Sequence, residues 1–197
     1  MNIAGFHVKR RSYIVLLMLL SITVQGQIAR TAPFSTIEWF AGQSLTIKQN
    51  ELNDYYRYAG GFSMNARTPF YFGSAELGIN VHSYSEYKSI EFYQVHCYLA
   101  FLKEITVFKK PSVDLGVTIG NSFFQFDTEE NKALQNESEL TLGISGGFKI
   151  PMGYHWLFRA TISHVIVFTY HQIETTNLGF QIGYKIRTPD WLKNFLK

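Results

Sequence analysis

Serine and histidine are the side chains of this chain that could carry out nucleophilic catalysis, because a histidine base activates a serine hydroxyl within hydrogen-bond reach. Ser163 and His164 are adjacent in a segment with strand character, so they point to opposite faces and cannot form such a pair. His171 and Glu174 are the other pair considered, but they lie at a strand end and have no serine nucleophile assigned to them. The sequence therefore predicts no catalytic residue, and we expect a protein that is not an enzyme.

The sequence also gives little support for a metal site, a cysteine-based site or a glycine-rich phosphate-binding loop. Cys97 is the single cysteine, which excludes a disulfide scaffold and a cysteine-rich zinc module, and its neighbour His96 points the other way. The histidines after residue 26 lack the spacing of metal ligands; they are His82, His96, His155, His164 and His171. The pairs Gly60-Gly61 and Gly146-Gly147 fall inside strand patterns, where glycine relieves crowding or marks a bulge. We expect neither a metal nor a cofactor.

The elements that carry these residues are strands. Near the end of the chain Leu178, Phe180, Ile182, Tyr184 and Ile186 alternate with small or polar residues, which is the period of a strand with one apolar face. The same pattern recurs, clearly or weakly, in segments 36–47, 57–67, 71–82, 89–101, 113–120, 140–150 and 156–171. Eight such strands, each of roughly ten residues or more, match the 9–11 tilted residues that cross a bilayer.

The predicted connections differ in length and composition. They are residues 48–56, 68–70, 83–88, 102–112, 125–139, 151–155 and 172–175. The first, third and fifth are polar, whereas the second and sixth are tight and contain proline. Long outer loops alternating with short inner turns are typical of an up-and-down membrane barrel. The fourth connection is long for an inner turn, and the seventh is short for an outer loop.

The polar face of the strands carries charges in mid-strand, beside many small residues. A narrow barrel interior needs small neighbours to admit long charged side chains that pair. We therefore predict an interior charge network of Glu38, Arg67, Glu76, Glu91, His96, Asp114, Lys149, Arg159 and Lys185. Gln94 and Arg187 share this face. The apolar face carries aromatic residues near the strand ends, as in membrane girdles; these are Trp39, Tyr58, Phe62, Tyr93, Phe101, Trp156, Phe168, Tyr170 and Tyr184.

The first 26 residues have the pattern of a cleaved secretory signal peptide. Lys9, Arg10 and Arg11 precede an apolar run of about a dozen residues from Tyr13, with small residues before Gln27. These three positive charges account for the formal net charge of +3, so residues 27–197 are neutral. Proteins that bind nucleic acids need a positively charged surface, so this neutral balance argues against a nucleic-acid-binding role.

The leader, the eight alternating strands and the closing run from Asn177 to Tyr184 resemble the small PorT-like outer-membrane β-barrel family of Gram-negative bacteria. Segment 89–95 also resembles that family's glutamate-containing strand. The resemblance implies an insertion signal at Asn177, Gly179, Ile182 and Tyr184, read by the barrel-assembly machinery. Unlike many such barrels, this chain continues beyond the last strand. Pro189 ends the strand pattern, and the apolar residues of 188–197 have helical spacing, so we predict a short amphipathic periplasmic tail or a frayed end on the barrel rim.

These observations predict an all-β fold, an eight-stranded antiparallel up-and-down transmembrane barrel at residues 27–187 in the outer membrane. A structural, anchoring or surface-interaction role fits best, because side chains fill an eight-stranded barrel and leave no open pore. Expected partners are outer-membrane lipid and lipopolysaccharide, with an envelope or secretion-system protein contacting segments 48–56 and 125–139. Two alternatives remain: a secreted lipocalin-like barrel that binds a hydrophobic ligand, and an outer-membrane enzyme that modifies lipid A.

Overall fold

Eight β-strands form the part of the chain that a computed structural model describes, namely residues 32–49, 56–86, 92–107, 110–126, 136–169 and 172–195. In chain order the strands are β1 (Thr36–Gln49), β2 (Tyr56–Phe70), β3 (Gly73–Glu86), β4 (Phe92–Thr106), β5 (Ser112–Phe126), β6 (Asn136–Pro151), β7 (Trp156–Val167) and β8 (Ile173–Arg187). A short helix, α1 (Asp190–Phe195), follows β8.

The strands close into one barrel in which each strand pairs antiparallel with its neighbours along the chain. Closure is made by β8 on β1, with Glu38 opposite Lys185 and Leu45 opposite Leu178. The predicted eight-stranded up-and-down barrel is confirmed. The connections β2–β3, β4–β5 and β6–β7 lie at one end, which we call the turn end. The opposite end, at which β1, β3, β5 and β7 end, we call the loop end.

The two faces of the wall have opposite character to those of a soluble barrel. Large apolar side chains point outward and are exposed, for example Leu99 at 54%, Val117 at 56% and Ile182 at 55%. Polar and charged side chains point inward and are buried, including Arg67 and Arg159 at 2% each. A soluble lipocalin-like barrel has an apolar interior and a polar exterior, so this distribution disagrees with that alternative.

Several strands run further than their sequence pattern predicts. Thr68, Pro69 and Phe70 belong to β2, and the turn itself is the two residues Tyr71 and Phe72. Tyr71 has φ of 25°, in the left-handed region that tight two-residue hairpins require. Likewise β4 continues to Thr106 and β5 starts at Ser112, so the fourth connection shortens to residues 107–111. The prediction of a long connection at 102–112 was wrong, because the strand pairing extends to both strand ends.

Tyr58 points inward, which corrects its placement in the outward aromatic set. The register of β2 against β3 shifts between Tyr58 and Gly60, so Ala59 is an extra residue. Such a β-bulge reverses the side-chain alternation on either side of it. Tyr58 therefore packs edge-on against Tyr84 inside the barrel, at a ring-centroid distance of 5.9 Å, while Phe62 points outward at 49% exposure.

Helix α1 occupies part of the predicted tail. Asp190 lies in its first turn and Lys193 in its last, and their side chains lie 3.3 Å apart. Trp191 is 72% exposed. Separately, no helix among the described residues is long and apolar enough to cross a membrane.

Candidate functional site in the barrel interior

Every strand contributes one charged side chain to the turn-end half of the interior. In strand order these residues, which we call the ion chain, are Glu38, Arg67, Glu76, Glu104, Asp114, Lys149, Arg159 and Lys185. Four are acids and four are bases, so the set is neutral.

The ion chain is continuous, and its charges alternate in sign. Lys185 contacts Glu38 at 3.5 Å, and Glu38 contacts Lys149 at 2.9 Å. Lys149 contacts Glu104 at 2.9 Å, and Glu104 contacts Arg67 at 2.8 Å. The remaining contacts join Arg67 to Asp114 at 2.7 Å, Asp114 to Arg159 at 3.0 Å and Arg159 to Glu76 at 2.6 Å. All but the first of these pairs join strands that are not neighbours in the barrel, so the contacts cross the lumen.

Burial divides the ion chain into a deep part and a rim. The side chains of Arg67, Asp114 and Arg159 are at most 2% exposed, whereas Lys185 is 43% exposed and Glu104 28%. Each of the three deep residues has two partners of opposite charge. Buried ions need this because one contact repays only part of the cost of dehydration.

Gly147 makes room for the deep part. A Cβ atom on Gly147 would lie 2.7 Å from Asp114 Oδ1 and 3.0 Å from Arg159 Nε. Gly147 faces Asp114 across β5 and β6, so the absence of a side chain lets the two guanidinium groups reach the same carboxylate. On the other side of Arg159, the Phe40 ring lies 5.4 Å from the guanidinium carbon, at cation–π distance.

The structure places the predicted network residues as follows. Glu38, Arg67, Glu76, Asp114, Lys149, Arg159 and Lys185 all belong to the ion chain. His96 is also buried inside, but its Nε2 lies 3.0 Å from Thr141 Oγ1 and forms no ion pair with the described residues. Glu91 lies outside the described residues.

Glu104 belongs to the ion chain, although its sequence context predicts a connection. Its signal was the even-numbered inward series of β4, which includes Phe92, Gln94, Ala100 and Leu102 and continues two residues further. Extending this period to the end of β4 places Glu104 inside.

Neutral polar side chains fill the middle of the barrel. Tyr98 donates a hydrogen bond to Glu76 at 3.0 Å, and His82 lies 2.9 Å from the Ser44 hydroxyl. Between these groups lies a cavity of about 40 Å³, whose wall includes Asn65, His96 and Gln181.

Apolar side chains close the loop end of the interior. Tyr84, Phe92, Phe124 and Val167 form a cluster, at most 5% exposed, with Tyr58 and Ile173 packed against it. The rings of Tyr84 and Phe92 stack at 4.5 Å. We call these six residues the apolar seal.

The predicted insertion signal divides between the two faces of β8. Asn177 and Gly179 face inward, and Asn177 Oδ1 accepts a hydrogen bond from Thr46 at 2.8 Å. Ile182 and Tyr184 are exposed on the outer face. Tyr184 packs edge-on against Trp156 at 5.2 Å, and with Trp39 these rings form an outward aromatic group near the turn end.

The candidate catalytic side chains do not come together. Ser163 lines the interior cavity, whereas His164 faces outward, with Nδ1 3.1 Å from Thr176 Oγ1 and Nε2 3.9 Å from Glu174. His171 lies outside the described residues. Within the described ranges, no group of three or more His, Cys, Asp and Glu side chains could hold a metal ion.

The comparison with solved structures finds similar barrels. The outer membrane protein OprG from Pseudomonas aeruginosa matches with a TM-score of 0.56 at 9% identity, over 79% of this chain and 97% of that chain. Neisserial surface protein A matches with a TM-score of 0.50 at 11% identity, over 77% and 96%. The Yersinia pestis outer membrane protein Ail in a phospholipid bilayer nanodisc matches with a TM-score of 0.50 at 12% identity, over 77% and 99%.

No family model matches the sequence, and no curated protein matches it. The structural likeness, at such low identity, establishes the fold.

Proposed function

We propose that this chain is an integral outer-membrane β-barrel with a structural, anchoring or surface-interaction role. The observation that carries the proposal is the distribution of side chains, with a neutral ion chain inside and large apolar residues exposed outside. This arrangement is stable where the surroundings are lipid. Two proteins of similar structure, OprG and Ail, are outer membrane proteins, which supports the same location.

We propose that the barrel is not an open pore. The ion chain crosses the lumen near the turn end, and the apolar seal fills it at the loop end. The deep residues of the ion chain are at most 2% exposed, and the four buried members of the apolar seal are at most 5% exposed. The role then belongs to the surface, where segments 48–56 and 125–139 would meet lipopolysaccharide, an envelope protein or a secretion assembly.

The finer assignments belong to the same proposal. Residues 1–26 would act as a cleaved signal peptide, and the chain would be a PorT-like barrel. Asn177, Gly179, Ile182 and Tyr184 would be read by the barrel-assembly machinery during insertion. The tail at 188–197 would lie on the inner leaflet, for which the exposed Trp191 supplies an apolar anchor.

We favour a non-enzymatic role. Ser163 and His164 lie on opposite faces of β7, so the adjacent pair cannot transfer a proton between them. The outward His164, Thr176 and Glu174 remain the polar group to test for lipid A modification. Replacing His164 and His171 by Ala should leave the lipid A profile of the host unchanged in mass spectrometry.

Cell fractionation tests the proposed location. The full-length chain should appear in the outer-membrane fraction and resist extraction by carbonate. Its gel mobility without heating should differ from that of the boiled sample, because a closed barrel stays folded in detergent. A soluble periplasmic protein with a single mobility would contradict the proposal.

A further inference from the structure

The cavity in the middle of the barrel has no role in the function proposed above. It measures about 40 Å³, and its wall includes Asn65, His96, Thr118, Ser145, Ser163 and Gln181. These residues come from six strands, so the cavity lies on the barrel axis. Apart from Val165 and Gly179, the residues that line it are of polar type.

Two buried amides on this wall have unused hydrogen-bonding atoms. Asn65 and Gln181 are 2% and 3% exposed. Gln181 Nε2 donates to the Ser63 hydroxyl at 2.8 Å, but among the described residues no group pairs with Gln181 Oε1 or with either amide atom of Asn65. A buried polar atom without a partner is costly, so the occupant of this cavity must both donate and accept hydrogen bonds.

Charge and volume narrow the choice of occupant. The two ionic groups on the wall, Glu76 and Arg159, neutralise each other at 2.6 Å, so the cavity does not attract an ion of either sign. A cavity needs on the order of 10–15 Å³ to hold one water molecule, so this cavity has room for about three.

Buried side chains of two kinds lie across the lumen on either side of the cavity. Toward the loop end, the apolar seal lies above Gln94, which accepts a hydrogen bond from Tyr84 and donates one to Ser122. Toward the turn end, the deep residues of the ion chain cross the lumen. The side chains at the loop end are mainly apolar, and those at the turn end are ionic.

We propose that the barrel encloses a hydrated chamber that binds a cluster of about three water molecules, sealed by aromatic packing at the loop end and by ion pairs at the turn end. The proposal rests on the proposed membrane barrel, since it describes how that barrel stays closed. The water completes the hydrogen bonding of Asn65 and Gln181. Opening either seal connects the chamber to bulk solvent.

Magnetisation transfer from water in nanodisc samples tests for the occupant. The side-chain amides of Asn65 and Gln181 should receive transfer several-fold faster than that of Gln94, which is equally buried but has protein partners at both amide atoms. Equal, slow transfer at all three amides would overturn the proposal.

Thiol labelling tests the seals. Ser145→Cys places a thiol on the chamber wall, in a Cys97→Ala background that removes the native thiol. With both seals intact, a charged water-soluble thiol reagent should label it slowly. Phe92→Ala with Phe124→Ala opens the apolar seal and should speed labelling at least about tenfold, because thiol reactivity follows access.

The ionic seal is opened by removing one complete pair, Arg67→Ala with Asp114→Ala. Glu104 then keeps Lys149, and Arg159 keeps Glu76, so no charge is left alone. Labelling should again rise at least about tenfold.

The matched control for the apolar-seal variant is Tyr93→Ala with Phe123→Ala. It truncates two outward aromatics next to Phe92 and Phe124 and should leave labelling slow.

Fast labelling with intact seals, or equally fast labelling of the outward control, would overturn the chamber. Slow labelling of both opened variants would also overturn it. If a double variant does not fold, Phe92→Ala and Arg67→Ala are measured singly. Heat-modified mobility is recorded on the same samples. If the barrel with both seals intact stays folded in the membrane but labels fast, the chamber alone is refuted, whereas loss of membrane association of that protein refutes the proposed function.

Discussion

At the scale of single residues, position along the ion chain should decide the cost of losing a charge. Arg159 is 2% exposed with two acidic partners, whereas Lys185 is 43% exposed with one partner at 3.5 Å. Arg159→Ala leaves Glu76 without an ionic partner among the described residues and should lower the free energy of unfolding by about 3–5 kcal/mol. Lys185→Ala should cost no more than about 1 kcal/mol. Denaturant titration in lipid vesicles measures both, and similar small effects would mean that the deep charges are hydrated.

The pair Gly146-Gly147 allows a second test at this scale. A Cβ atom on Gly147 would lie 2.7 Å from Asp114 Oδ1, whereas on Gly146 the nearest atom would be at an ordinary 3.5 Å. Gly147→Ala should therefore destabilise the barrel by about 1–3 kcal/mol through overpacking. Gly146→Ala should stay within about 0.5 kcal/mol of the parent. Unfolding midpoints in the same lipid decide, and an equal loss in both variants would contradict the steric account.

Most of the ion chain could be predicted from residue types alone. Charged residues in mid-strand beside small residues fit the narrow interior of a barrel, where the small neighbours leave room for long side chains. Glu104 could not, since it stands next to Lys103 in a stretch with the composition of a connection. Its inward direction follows only from the length of β4. The pairing partners were also beyond the sequence, because the contacts join strands that are distant along the chain.

At the scale of elements, the position of the bulge in β2 determines which of the two neighbouring glycines, Gly60 or Gly61, faces the barrel interior. A Cβ atom on Gly61 would lie 2.5 Å from His82 Cδ2 and 2.9 Å from the backbone oxygen of Ser44, whereas on Gly60 it would meet nothing within 4 Å. Gly61→Ala should cost about 1–3 kcal/mol, since His82 and Tyr58 must shift. Gly60→Ala should be neutral within about 0.5 kcal/mol. Thermal scans of the two variants measure the difference, and the reverse order would show that the bulge is placed differently.

The same bulge shows where prediction of elements from alternation fails. The strands themselves were evident from a period of two, but one unpaired residue, Ala59, reverses the faces of everything before it in β2. Tyr58 was consequently predicted to face outward and instead belongs to the apolar seal. Strand ends were missed for a related reason: the alternation weakens at Pro69 and Lys103, although the backbone pairing continues.

At the scale of the whole molecule, the decisive property is which side of the wall meets water. Alternation is the same for a soluble barrel and for a membrane barrel, so it cannot distinguish them. The combination of balanced charges and small residues on one face does so, because long charged side chains fit inside an eight-stranded barrel where small residues stand beside them. The loop-end apolar seal follows from no local pattern, since its four buried members come from four strands and meet only when the barrel closes.

The free-energy cost of placing an arginine on the outer face should depend on its depth if that face contacts lipid, but not if it contacts water. Leu99 lies at the middle of β4 and is 54% exposed, and Tyr93 lies on the same face near the loop end at 47%. In a bilayer Leu99→Arg should lower the free energy of unfolding by about 2–4 kcal/mol, whereas Tyr93→Arg should cost about 1 kcal/mol or less. The cause is the dehydration of the guanidinium group at the hydrocarbon midplane, which is relieved at the interface. Equilibrium unfolding from vesicles gives both values. A barrel that faces water would tolerate both substitutions equally, because a solvated arginine at either exposed position loses no hydration.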